Sequence, residues 1–80
     1  MFVHIGGEVI IPIEDIIAII DLEAKQNSLS TQEFLSVAED EGFVVNIKDR
    51  ANSFVVTTKK VYLSPISTVT LRKRVSDFLA

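Results

Sequence analysis

The sequence predicts a small α+β domain: a mostly antiparallel sheet with two helices, in the order β-β-β-α-β-β-β-α. Three observations carry that expectation. Short β-branched runs recur between turn signals, as strands require. Two segments begin with helix-capping residues and continue with apolar residues at helical spacing. Eighty residues make one domain, spanning 1–80, with no internal repeat, linker or low-complexity stretch.

Phe2–Ile5 reads as the first strand, closed by Gly6-Gly7, which turns easily because neither residue has a Cβ. Val9–Ile13 and Ile16–Ile20 are continuous apolar runs separated by a tight turn at Glu14-Asp15. Continuous runs suit strands covered on both faces. With two helices laid on one face of a small sheet, the other face needs a neighbouring subunit or stays wet. Asp21–Leu29 is polar and reads as a loop. Ser30 and Glu33 then fit a capping box, flanked by a Leu29/Phe34 staple, and open a helix that carries Phe34, Leu35, Val37 and Ala38. Gly42 supplies its stop. Phe43–Ile47 reads as a strand and Lys48–Asn52 as a loop. Ser53–Thr58 and Val61–Ser64 form a hairpin across Lys59-Lys60. Ser64 as N-cap and Pro65 at the first helical position open the last helix. Its apolar face holds Leu71, Val75, Phe78 and Leu79.

Charge is divided along the chain. Residues 1–41 hold nine acids and one base, and residues 42–80 hold seven bases and two acids, giving −8 and +5. Such a molecule can pair head to tail with its own copies, or turn its basic side to an anionic polymer. Apolar residues make up 48% of the chain, and the mean hydropathy is +0.35. That exceeds what a thin core hides, so a homo-oligomer is expected.

Other functions find little support. There is no Cys, which removes disulfides, thiol catalysis and thiolate metal sites. His4 is the single histidine, so a Ser-His-Asp triad or a His-based zinc site within one chain is not expected. Glu14-Asp15 and Asp21-x-Glu23 lack calcium-loop spacing. Gly6-Gly7 is not followed by Gly-Lys-Ser/Thr, as a phosphate loop requires. We expect no enzyme, no cofactor, no metal and no small-molecule substrate. The opening residues lack the basic region of a signal peptide, and no apolar run approaches the ~20 residues that span a bilayer. A cytoplasmic protein without membrane contact is the expectation.

The charged residues each admit two readings. Glu39, Asp40 and Glu41 oppose the helix dipole, and are either a solubilising cluster or a contact for a neighbour's basic half. Arg72, Lys73 and Arg74 fan around about 200° of the last helix; they complement its dipole or bind a partner. Lys59 and Lys60 are ordinary turn residues, protection against edge pairing, or an anion contact. Lys48 and Arg50 beside Asn52 place a cation, a guanidinium and an amide where phosphates and base edges are reached.

Several phrases of the sequence match one pattern. Phe2-Val3-His4-Ile5-Gly6-Gly7, Asp15-Ile16-Ile17-Ala18-Ile19-Ile20-Asp21 and Phe54-Val55-Val56-Thr57-Thr58 resemble a bacterial family, the extracellular matrix regulatory proteins. Val61-Tyr62-Leu63-Ser64-Pro65-Ile66-Ser67-Thr68 and Thr70-Leu71-Arg72-Lys73-Arg74 belong to the same pattern, which spans nearly the whole chain. The likeness is to the RemB (YaaB-like) branch, sister to the RemA branch. It implies a fold similar to the LytTR-type DNA-binding domain, and a homo-oligomeric ring acting in transcriptional regulation of extracellular-matrix (biofilm) genes. In the sister branch, the resemblance implies, double-stranded DNA is held by an arginine before the Ile-Ala-Ile strand and an arginine pair before the hairpin. Those places hold Asp15 and Lys48-Asp49 here, with Arg50 adjacent.

Two functions follow. In the first, a regulator of the RemB type binds DNA through Lys48, Arg50 and Asn52, supported by Lys59 and Lys60. In the second, a homo-oligomeric protein-binding scaffold touches no nucleic acid. There Glu39, Asp40 and Glu41 of one subunit meet Arg72 and Arg74, or the lysine pair, of the next.

Overall fold

The computed structural model describes residues 1–22, 29–47 and 50–79. The strands are β1 (Phe2–Gly6), β2 (Val9–Pro12), β3 (Ile16–Asp21), β4 (Val44–Asn46), β5 (Ser53–Thr57) and β6 (Val61–Ser64). Helix α1 (Leu29–Asp40) follows β3, and α2 (Thr68–Leu79) follows β6. The expected α+β order holds. The turn at Glu14-Asp15 is a short 3-10 segment, Ile13–Asp15.

The strands form two sheets rather than one. β1 and β2 make an antiparallel hairpin by themselves, and the other four lie in the order β3-β5-β6-β4. All pairings are antiparallel except β4 with β6, which is parallel. The reason lies in α1: it returns the chain so that β4 enters alongside β6 at the Val44↔Val61 pair.

Alternation along the strands divides the core into two halves. On β5, Phe54 and Val56 point to the side covered by α1, with Ala38, Leu35, Val61 and Leu63. Val55 points to the other side and meets Val3, Ile5, Ile11 and Leu71. Phe54 and Val55 are both fully buried, so this strand is covered on both faces, as its unbroken apolar run requires. The covering is supplied within one chain. The helices lie on opposite faces, and the β1–β2 hairpin shares its face with α2, so the expectation of two helices on one face is corrected.

β3 shows how a register irregularity redistributes an apolar run. Its pairing with β5 shifts between Ile16 and Ala18. An extra residue at that point lets Ile16 and Ile19, three apart, both enter the hairpin-side core, while Ile17 is left 66% exposed.

The connections replace several sequence expectations. Helix α1 starts at Leu29, so Ser30 lies inside it and is not its N-cap; the preceding residue is outside the described set. Leu29 and Phe34 are both exposed. At the other end the expectation holds. Gly42 has φ 77°, with its N–H on Glu39 O at 3.1 Å and Phe43 N–H on Ala38 O at 2.9 Å. This paired closure is the Schellman arrangement.

Helix α2 begins at Thr68, and its cap is Ser67, whose Oγ accepts Thr70 N–H at 3.3 Å. Ser64 and Pro65 therefore do not start it. Instead, the fully buried Ser64 donates to Ile5 O at 2.6 Å and accepts Ile66 N–H at 3.0 Å. Opposite it in register stands Ser53, also fully buried, donating to Ile66 O at 2.7 Å. Pro65 packs against the β1–β2 turn, where a Cβ on Gly6 would fall 2.8 Å from its Cδ. Leu71 and Val75 face the core as expected; the side chains of Phe78 and Leu79 lie outside the described set.

Gly6 has φ 124°, a region side chains disfavour, so Gly6→Ala combines strain with a collision on Pro65. It should cost about 2–4 kcal/mol by urea denaturation. Gly42→Ala, at φ 77° but with nothing within 4 Å of the added Cβ, should cost only the left-handed strain, about 1–2 kcal/mol. Ser64→Ala strands the buried Ile5 carbonyl and should lower stability by about 1–3 kcal/mol. An effect no larger than that of the exposed Ser76→Ala would contradict the packing described.

Candidate functional site

The basic residues expected to act together are held at opposite ends of β5. Arg50 and Asn52 precede its first residue, Ser53, whereas Lys59 and Lys60 follow its last, Thr57. At about 3.3 Å per residue, the strand alone sets them more than about 13 Å apart. Lys48 and Asp49 lie outside the described residues.

At the Arg50 end, backbone bonds join three segments. Asn52 N–H meets Ser64 O at 2.8 Å, and Leu22 N–H meets Asn52 O at 3.1 Å. The Asn52 side chain is half-buried and donates to Pro65 O at 2.8 Å. Its amide thus helps hold the β6–α2 connection. Arg50 is exposed.

At the other end, Thr57 organises the turn. Its Oγ1 donates to Lys60 O at 2.7 Å and accepts Lys60 N–H at 3.0 Å and Lys59 N–H at 3.3 Å. The local bonding fixes the backbone and leaves both lysine side chains exposed. Thr58 N–H also meets Asp15 O at 3.0 Å. The structure therefore brings the Asp15 backbone beside the lysine pair, a proximity that 43 intervening residues conceal in the sequence.

A groove adjoins this turn. Phe34 and Val37 of α1, with Glu41 just past its end, line it from one side, and Ile17, Thr58 and the lysine pair from others, around a volume of about 530 Å³. Val37 is 60% and Phe43 50% exposed. Exposed apolar clusters of this kind mark interaction surfaces. No local signal marks the groove, because Ile17 sits within a continuous apolar run, Ile16–Ile20, that suits a strand covered on both faces.

The residues expected at a subunit interface fall in two places. Glu39, Asp40 and Glu41 are exposed at the end of α1. Arg72 donates to Ile19 O at 3.4 Å. Arg74 donates to His4 O at 2.8 Å, and the same nitrogen lies 3.4 Å from His4 Nδ1. His4 Nε2 contacts Gly7 O at 2.7 Å. Arg74 thereby fastens α2 to β1.

Among the described residues, no three His, Asp or Glu side chains converge on a metal position, and no helix is long and apolar enough to cross a membrane. Double charge reversal, Lys59→Glu with Lys60→Glu, should leave the thermal midpoint within a few degrees of wild type, since neither side chain carries the turn. A large drop would show that the lysines are structural.

Comparison with known proteins bears on the whole of this architecture. Residues 2–75 match the RemA-like family, described as extracellular matrix regulatory protein A-like. The extracellular matrix regulatory protein B of Bacillus subtilis (strain 168) is 32% identical over 74 residues, covering 92% of this chain and 89% of that protein. The chain belongs to the extracellular matrix regulatory protein family.

Proposed function

We propose that this protein is a non-enzymatic regulator of extracellular-matrix genes that works as a cytoplasmic homo-oligomer and contacts double-stranded DNA. The observation that carries the reading is the match to a relative named for extracellular matrix regulation along nearly its whole length. The LytTR-like fold and the ring belong to the same proposal.

The distribution of charge supports a multivalent mode of contact. A single protomer offers Arg50 at one end of β5 and Lys59-Lys60 at the other, too few and too far apart for a firm grip. Repetition around an oligomer multiplies these weak phosphate contacts, and each neutralised phosphate releases counterions. Asp15 beside the lysine pair reduces the attraction at that end. Binding then depends on the assembly more than on any one loop.

A second reading rests on a specific observation. The groove beside the lysines is apolar, with Phe34, Val37 and Ile17 along it, and this is a surface for protein rather than for phosphate. A homo-oligomeric scaffold without nucleic acid is the function it favours.

Titration of duplex DNA against salt separates the two. The first reading expects log affinity to fall steeply with log salt, by roughly 0.9 for each phosphate neutralised. Lys59→Glu with Lys60→Glu should weaken binding at least tenfold. Absence of binding at low salt, with the oligomer intact by light scattering, would leave the scaffold reading.

A further inference from the structure

One face of the main sheet has more room than this chain fills. Four strands at about 4.8 Å spacing set β3 and β4 roughly 14 Å apart. A helix with its side chains is about 10–12 Å across, so one alone does not cover the face. Here α1 lies toward the β4 edge, and α2 packs on the opposite face, through Leu71 against Val55 and Ile5. The strip over β5 and β3 is left beside α1 as a trough.

The groove described above is one part of it. A second depression, of about 290 Å³, is lined by Ile20, Thr31 and Phe54 and shares Phe34 and Val56 with the groove. Together they run beside α1 from Ser30 to Glu41, about 16 Å at 1.5 Å per residue, or three helical turns. The floor is formed by side chains of β5, which is already paired on both sides. An added strand finds no free backbone there, so the shape suits a helix.

Charge is divided between the two banks. Of the charged residues that line the trough, Glu41 stands on the α1 side and Lys59 and Lys60 on the other. At about 100° per residue, Glu33 and Asp40 fall within about 60° of Val37, whereas Glu39 lies on the far side of α1. The α1 bank is therefore acidic along its length. Glu14 and Asp15 dilute the opposite bank before Ile17, but they do not line the trough. The charges met on that bank are the lysines.

Neither helix of this chain suits the trough. Helix α1 carries acids and no base, so a second copy of it would set like charges along the acidic bank. Helix α2 commits its apolar residues Leu71 and Val75 to the core.

We propose that the trough takes an amphipathic helix from a different protein, basic on the flank that meets α1 and acidic on the flank that meets Lys59 and Lys60. This rests on the protein-binding reading and names the partner's chemistry. Apolar side chains at i, i+3 or i+4 and i+7 seat over Phe34, Val37 and Ile17, while the charged flanks pair at the rim. Because the flanks differ in sign, they also fix the direction in which the helix lies.

Three helical peptides of about 14 residues, sharing one leucine ridge, test this by fluorescence anisotropy. One carries lysines on one flank and glutamates on the other. The second carries lysines on both flanks, and the third glutamates on both. The split peptide should bind at least about threefold tighter than either uniform one. Val37→Glu, at an exposed position, should weaken it at least about tenfold, with circular dichroism checking the fold. Lys59→Glu with Lys60→Glu makes both banks acidic and should transfer the preference to the lysine peptide. Equal binding of the three peptides, or a preference that the lysine reversal leaves in place, overturns the proposal while the protein-binding reading stands. If no peptide binds and Val37→Glu lowers the mass by light scattering, the trough is a junction between copies and the proposal fails alone. If no peptide binds and the mass is unchanged, the protein-binding reading fails with it.

Discussion

A pair of buried serines at the end of the β5–β6 hairpin sets the constraint on which the rest of the structure depends. Ser53 and Ser64 face each other in register, and each sends its hydroxyl to a carbonyl outside the strand pair. One bond reaches β1 and the other the segment leading into α2. A hydroxyl left unpaired at such a depth would cost as much as the bond provides, so both partners are obliged to be present. Among the described residues, no buried side-chain nitrogen or oxygen lacks a partner. The two elements covering the second face of the sheet are thereby tied to its centre by directional bonds, while Val55, Leu71 and Ile5 supply the non-directional cohesion around them.

That arrangement explains what the sequence disclosed and what it hid. Element order was legible because periodicity and turn residues are local. The Gly42 closure was legible for the same reason, since a positive φ at a helix end selects glycine. Ser64-Pro65 misled because its local chemistry is that of a helix start. Only the register with Ser53 reveals that its hydroxyl is already committed to Ile5, fifty-nine residues away in sequence. The division into two sheets was hidden likewise, since nothing local shows that β1 and β2 pair with each other alone. The Ile16/Ala18 irregularity had no local signal either, and it determines which isoleucine faces outward.

The candidate site shows the same limit. Residue types identified the basic loop and the lysine turn, but not that a strand separates them. Nor did they show that Asp15 adjoins the lysines or that the Asn52 amide is engaged with Pro65. Under the function proposed above, the geometry adds a requirement: basic groups that are sparse on one protomer gain effect by repetition. The turn at Thr57–Lys60 borders the groove and carries the charge.

The bonds that fasten β1 join positions far apart in the chain, with separations of 59 between Ile5 and Ser64 and 70 between His4 and Arg74. During synthesis the N-terminal hairpin emerges long before either partner exists. It must wait, with its inner face of Val3, Ile5 and Ile11 unanchored, until Ser64 and Arg74 have left the ribosome. Folding is consequently a late, closing event with a large loop-entropy cost. The interval before it is when this chain is most open to misassociation with its own nascent copies.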